Sequence, residues 1–208
     1  MPKGYWIPQI DISNPEGYKV YMAATPLAHE KYHGVALVRG GKMEIVEGRG
    51  RGRYVLREFP DFATALACYR SDEYRRAKPL RLSHSLCDFV IVEGYDGPQP
   101  PSPSPPPPAS KKGYWIVQVD VPDADAYKHL VANQAPFGQF GARYLVRGGR
   151  RDVMEGSARD RIVVLEFLSF EAALACYRSP EYQAAKKLRD GKAEADVIVT
   201  EGYDGAKF

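Results

Sequence analysis

The chain has 208 residues, of which 44% are hydrophobic, 12% aromatic and 26% charged, a composition that belongs to globular rather than disordered, fibrous or membrane proteins. Its 29 basic and 26 acidic side chains leave a net charge of +3, evenly interspersed, which gives no argument for a nucleic-acid or membrane partner. No secretion signal or apolar run of the roughly 18–20 residues needed for a bilayer span is present, and an odd set of three cysteines, Cys68, Cys87 and Cys176, disfavours a disulfide framework; a reducing cytoplasm is the expected compartment.

Along the chain one feature dominates, an internal repeat. Gly4-Tyr5-Trp6-Ile7 returns as Gly113-Tyr114-Trp115-Ile116, and Leu37-Val38-Arg39-Gly40-Gly41 as Leu145-Val146-Arg147-Gly148-Gly149. Ala65-Leu66-Ala67-Cys68-Tyr69-Arg70-Ser71 returns as 173–179, and Glu93-Gly94-Tyr95-Asp96-Gly97 as 201–205. Roughly 40 of about 94 aligned positions are identical, at an offset of 109 that becomes 108 after one deletion near 137–143. Residues 1–97 and 113–208 are therefore read as two copies of one domain. The intervening 98–112 contain a proline run that excludes helix and central strand, and they predict a semi-rigid spacer reaching roughly 40 Å.

Within the second copy, Tyr114–Val121 alternates as a strand, with Trp115, Val117, Val119 and Val121 on one face and Tyr114, Ile116, Gln118 and Asp120 on the other. Asp123 is a cap for a helix to about Gln134. Arg143–Arg147, a Gly-Gly turn and Asp152–Gly156 predict a hairpin, whose second arm resumes as Arg161–Phe167. Ser169 caps the next helix, Ser179-Pro180-Glu181 reads as a fresh N-cap with proline at the first helical position, and Asp196–Glu201 is the last strand. The order β-α-β-β-α-β predicts an α+β fold of ferredoxin-like type, a four-stranded antiparallel sheet with both helices on one face. The uncovered sheet faces carry Tyr and Ile, an apolar patch of the kind that marks an interface. Packing one bare sheet on the other predicts a pseudo-two-fold dimeric α/β barrel within a single chain.

The set GYWI-x-Q-x-D, LVRGG, EG, E-F, ALACYRS-x-EY and EGYDG resembles the DUF1330 family, within the dimeric α/β-barrel superfamily, over 4–97 and 113–205. The resemblance implies a ferredoxin-like unit that normally pairs between chains, here fused in tandem. It carries over no activity, since relatives across the superfamily include cofactor-independent monooxygenases, isomerases, haem enzymes and stress proteins, and fold alone does not fix function.

Among polar residues retained in both copies, Glu58 and Glu166 sit inside apolar strands, where desolvation would suit a carboxylate to proton transfer. Arg39 and Arg147 precede the Gly-Gly turns and have two readings: a structural pair with that glutamate, or a bidentate grip on a substrate carboxylate. Gln9, Gln118, Tyr5 and Tyr114 share a strand face and are candidate ligand contacts, while Asp11 and Asp120 read as strand-end turn residues. Tyr95 and Tyr203 are expected to pack across the interface. No histidine recurs: His29, His33, His84 and His129 align with Gly138, Ala142, Lys192 and Val20. His29 and His33, four apart, are expected to be solvent-facing rather than metal ligands, and no metal or cofactor is expected. Cys68 and Cys176 read as buried small hydrophobes. The third strand lacks the stacking aromatics of an RNA-recognition motif, which argues against RNA.

Two functions follow as expectations. The first is a small-molecule binder or cofactor-independent enzyme, taking a small carboxylate or aromatic ligand in a pocket between sheet and helices beside Arg39/Glu58 and Arg147/Glu166. The second is a non-catalytic structural or assembly module. The repeats are expected to pair within one chain as a monomeric pseudo-dimer, although the spacer also permits exchange between chains and further self-association.

Overall fold

The computed structural model describes residues 1–101, 111–122 and 135–206. The first repeat runs β1 (Gly4–Ile12), α1 (Pro15–Ala24), α2 (Pro26–Lys31), β2 (Val35–Arg39), β3 (Met43–Glu47), β4 (Arg53–Phe59), α3 (Phe62–Arg70), α4 (Asp72–Ala77), α5 (Pro79–Leu82) and β5 (Ser85–Glu93). The second runs β6 (Gly113–Asp120), α6 (Ala135–Gln139), β7 (Arg143–Arg147), β8 (Arg151–Glu155), β9 (Arg161–Phe167), α7 (Phe170–Arg178), α8 (Pro180–Lys187) and β10 (Glu194–Glu201). The helix expected over 123–134 and most of the proline run lie outside the described residues. Side-chain caps start the helices where the sequence places them: Ser169 accepts from the Ala172 N–H, and Ser179 from the Tyr182 N–H ahead of Pro180.

Among the described residues all strand pairing is antiparallel, in two open five-stranded sheets ordered β2-β4-β1-β5-β8 and β3-β10-β6-β9-β7. This corrects the expected four-stranded sheets and the expected hairpin. β7 and β8 do not pair with each other. After the Gly148-Gly149 turn, β8 crosses to the first repeat's sheet and pairs with β5, while β3 crosses the other way onto β10. Each repeat thus lends one strand to the other. The period-two pattern of Asp152–Glu155 is served equally by either partner strand, so local sequence does not choose between them.

The alternation of β1 and β6 builds the layers. Tyr5, Ile7, Tyr114 and Ile116 face between the sheets, with Val38, Leu56, Val92, Val146, Val164 and Ile198 in one buried cluster drawn from both repeats. Trp6 and Trp115 point to the outer faces and anchor two further clusters under the helices. Each indole N–H is satisfied by a helix carbonyl, Ala65 at 2.9 Å and Ala173 at 3.0 Å, as a buried Trp requires. Sheet-to-sheet packing of the two repeats, which the bare Tyr/Ile faces called for, is therefore the observed architecture. Among the described residues no helix is long and apolar enough to cross a membrane.

Candidate functional site

One irregularity decides which residues meet. In β2 the register jumps between Ala36 and Val38: Val35 lies opposite Glu58, Ala36 opposite Arg57, then Val38 opposite Leu56 and Arg39 opposite Val55. Leu37 is the extra residue of a β-bulge, which reverses the face of everything after it. Without the bulge Arg39 would share the inter-sheet face with Glu58; with it, Arg39 turns to the helix side. β7 repeats the device, with Arg143 opposite Glu166, a shift between Tyr144 and Val146, and Arg147 opposite Val163. The pairing of Arg39 with Glu58, and of Arg147 with Glu166, is thereby corrected. Each pair is split between opposite sheet faces and separated by three strand positions, roughly 10 Å.

On the helix side each arginine enters a pocket between sheet and helices. The first is walled by Trp6, Ile10, Tyr18, Tyr21, Val55 and Phe89 and carries Arg39, Arg53, Arg57, Thr25 and His29. Arg53 donates from Nη2 to the Arg39 carbonyl at 2.6 Å, and its guanidinium lies 5.9 Å from the Tyr18 ring centroid. Gly40 makes this approach feasible: its φ is +70°, and a Cβ there would overlap the Arg53 guanidinium. Arg53 Nε is buried without a hydrogen-bond partner, an orphan donor that a ligand oxygen would satisfy. Arg57, 4% exposed, donates to the Gly34 carbonyl at 2.6 Å. Burial, then the charge of Arg39, lowers its pKa to about 10. No carboxylate lines this pocket.

His29 is not solvent-facing as the sequence suggested. It is 6% exposed, packed edge-on to Trp6 at 5.5 Å, and burial together with Arg57 and Arg39 lowers its pKa to about 2. Its counterpart is also corrected. Cys68 Sγ contacts the Ala28 carbonyl and Cys176 Sγ the Pro136 carbonyl, so His29 superposes on Phe137, whose ring sits edge-on to Trp115 at 5.8 Å. His33 is exposed, in the left-handed region at φ 55°.

The second pocket repeats the pattern with Trp115, Val119, Phe137, Val163, Leu165 and Tyr182 around Arg147 and Arg161. Leu165 stands where the first pocket has Arg57. Arg161 donates to the Arg147 carbonyl at 3.1 Å, as Arg53 does to Arg39. Lys186 and Arg189 also line it and meet Glu47, which arrives on the exchanged strand β3.

The remaining sequence candidates lie between the sheets. Tyr5 donates to Glu58 at 2.9 Å and Tyr114 to Glu166 at 3.2 Å. Lys3 lies 3.6 Å from Glu58, while Glu166 meets Lys112 at 2.8 Å and Arg143 at 3.5 Å. Burial, then the neighbouring glutamate charge, raises the pKa of both tyrosines. Gln9 accepts from the Tyr54 hydroxyl at 3.0 Å and Gln118 from the Arg159 N–H at 3.1 Å, both well inside the sandwich. Asp11 and Asp120 hold loop arginines Arg51 and Arg159, each at a 2.7 or 2.6 Å contact. Cys68 and Cys176 are buried, their pKa pushed up to about 12 by desolvation. Periodicity and motifs do not mark Arg57 or His29 as ligand contacts, and for Arg53 and Arg161 the one sequence signal is their recurrence fourteen residues after the Arg39/Arg147 pair.

The DUF1330 model, a domain of unknown function, matches residues 3–95 and again 112–203. No curated protein sequence matches the chain. Among solved structures, a candidate monooxygenase from Fusobacterium nucleatum shares 6% identity at a TM-score of 0.53, covering 100% of this chain and 97% of that one. A candidate monooxygenase from Lactobacillus acidophilus shares 13% at 0.51, covering 99% and 98%. An anthrone oxidase-like protein shares 13% at 0.53, covering 100% and 96%. At these identities the likeness is one of fold, the whole two-repeat sandwich included.

Proposed function

The chain belongs to the DUF1330 family, whose domain it carries twice, and from that premise we propose that it binds a small aromatic or apolar carboxylate in two pockets, one per repeat, between sheet and helices. The observation that carries this reading is the recurrence, in both repeats, of two arginines lining one aromatic-walled cleft, Arg39 with Arg53 and Arg147 with Arg161, the second of each pair hydrogen-bonded to the carbonyl of the first. Guanidinium forks recognise carboxylates by charge-assisted hydrogen bonds, and the tryptophan wall suits an apolar body. Glu58 and Glu166 lie on the far side of the sheet from these clefts, so the reading is of binding and orientation, with no glutamate proton shuttle. A second reading, a structural module, draws support from the strand exchange, which by itself gives a reason for fusing two copies.

Native mass spectrometry of freshly purified, untagged chain tests the first reading, with a 23.2 kDa monomer carrying a small retained mass as the expected species. Benzoate is the defined probe: it is expected to raise the melting temperature, and Arg39→Ala with Arg147→Ala is expected to weaken its binding about tenfold or more, since each removes hydrogen bonds to a charged group. A bare protein that millimolar benzoate does not stabilise would leave the structural module standing. A species of twice the mass would indicate exchange of repeats between chains.

A further inference from the structure

Arg39 and Arg147, one in each pocket, are each contacted by a tyrosine of the opposite repeat. Tyr203, just beyond β10, donates its backbone N–H to the Leu37 carbonyl at 2.8 Å and so docks on β2 of the first repeat. Its hydroxyl accepts from Arg39 Nη1 at 3.4 Å, and the Arg39 guanidinium lies 5.6 Å from its ring centroid. Tyr95, just beyond β5, does the same in the other direction. Its N–H meets the Leu145 carbonyl at 2.8 Å, its hydroxyl accepts from Arg147 Nη1 at 3.3 Å, and the Arg147 guanidinium stands 5.6 Å from its ring. The same three contacts therefore occur twice, on two sides of the molecule.

A tyrosine that accepts from arginine keeps its own proton to give. Tyr95 gives it to the Pro98 carbonyl at 3.1 Å, whereas the Tyr203 proton has no hydrogen-bond acceptor among the described residues. We infer that Tyr203 and Tyr95 are specificity-determining residues of the opposite repeat's pocket: each holds the pocket arginine in place, and Tyr203 also donates to a carboxylate gripped by Arg39. The inference rests on the pockets being carboxylate sites. It makes each pocket a composite of both repeats and distinguishes the two, since among the described residues the Tyr95 hydroxyl has an acceptor for its proton and the Tyr203 hydroxyl has none.

The chain has two tryptophans, and one lines each pocket. Protein labelled with 5-fluorotryptophan therefore gives one fluorine resonance per pocket, assigned with Trp115→Phe, and both can be followed during one benzoate titration. Tyr203→Phe keeps the ring and removes the hydroxyl. It is expected to weaken the titration of the Trp6 resonance about tenfold and leave that of Trp115 unchanged. Tyr95→Phe should weaken only the Trp115 titration, by a smaller factor, and it tests the same crossed pattern if the first variant does not fold. Effects confined to the tyrosine's own repeat, or titrations indistinguishable from the unsubstituted chain, overturn the inference while leaving the carboxylate reading intact. If benzoate moves neither resonance in the unsubstituted chain, the carboxylate reading fails and this inference with it.

Discussion

Glu155→Ala is expected to destabilise the protein by about 3–5 kcal/mol, the cost of leaving a buried charge without its counter-ion. Glu155 ends the exchanged strand β8 and is carried by it beneath the helices of the other repeat. There both its carboxylate oxygens accept from Arg81 Nη2 at 2.7 Å, the Tyr69 hydroxyl donates to it at 2.7 Å, and Lys78 stands 3.5 Å away. The Arg81 side chain is 1% exposed and that of Glu155 12%, so water cannot replace the lost carboxylate. The equivalent Glu47 meets Arg189 and Lys186, but Arg189 is 13% exposed, and Glu47→Ala should cost less. Urea denaturation of the two variants measures both effects. A loss below about 1 kcal/mol for Glu155→Ala would mean that Arg81 finds solvent or another partner, and would remove the electrostatic lock from the account of how the repeats hold each other.

The features that were legible in the sequence are those dictated by local periodicity and by repetition. The duplication, the β-α-β-β-α-β order, the caps at Ser169 and Ser179 and the burial of the Tyr5/Ile7 and Tyr114/Ile116 faces all follow from patterns within one segment or from its recurrence. What escaped is set by geometry with no sequence period. A single bulge residue, Leu37, sends Arg39 through the sheet and away from Glu58, and Leu145 does so for Arg147. The exchange of β3 and β8 is equally silent, because an alternating strand satisfies either sheet; only Glu47 and Glu155, charges retained at strand ends, hint that a cationic partner waits elsewhere. His29 escaped because helix spacing locates a face without saying what covers it, and here Trp6 does. The candidate site was thus legible only in its two arginines: Arg39 and Arg147 stand in the pockets, while Tyr5, Tyr114, Gln9, Gln118, Glu58 and Glu166 belong to the layer between the sheets.

Acid is expected to unfold this protein partly through His29. Burial beside Arg57 and Arg39 depresses its folded-state pKa to about 2, whereas in the unfolded chain it titrates near the ordinary value of about 6.5. Between those values the unfolded state binds the proton that the folded state refuses, so stability rises with pH and is lost as pH falls below about 6.5. Each pH unit in that window costs about 1.4 kcal/mol, or roughly 2–3 kcal/mol by pH 4.5. The second repeat supplies the control substitution, since Phe137 fills the same place against Trp115. His29→Phe is compatible with that packing and removes the titrating group, so its stability should exceed that of the unsubstituted chain by a margin that widens by about 2–3 kcal/mol between pH 7 and pH 4.5. Asp11, held low in pKa first by the Gly52 N–H, loses its stabilising contribution at lower pH and does so equally in both proteins, which takes it out of the comparison. Parallel stability curves for the two would show that His29 accepts its proton in the folded state, and that the first pocket admits water to the imidazole despite the edge-on Trp6 ring.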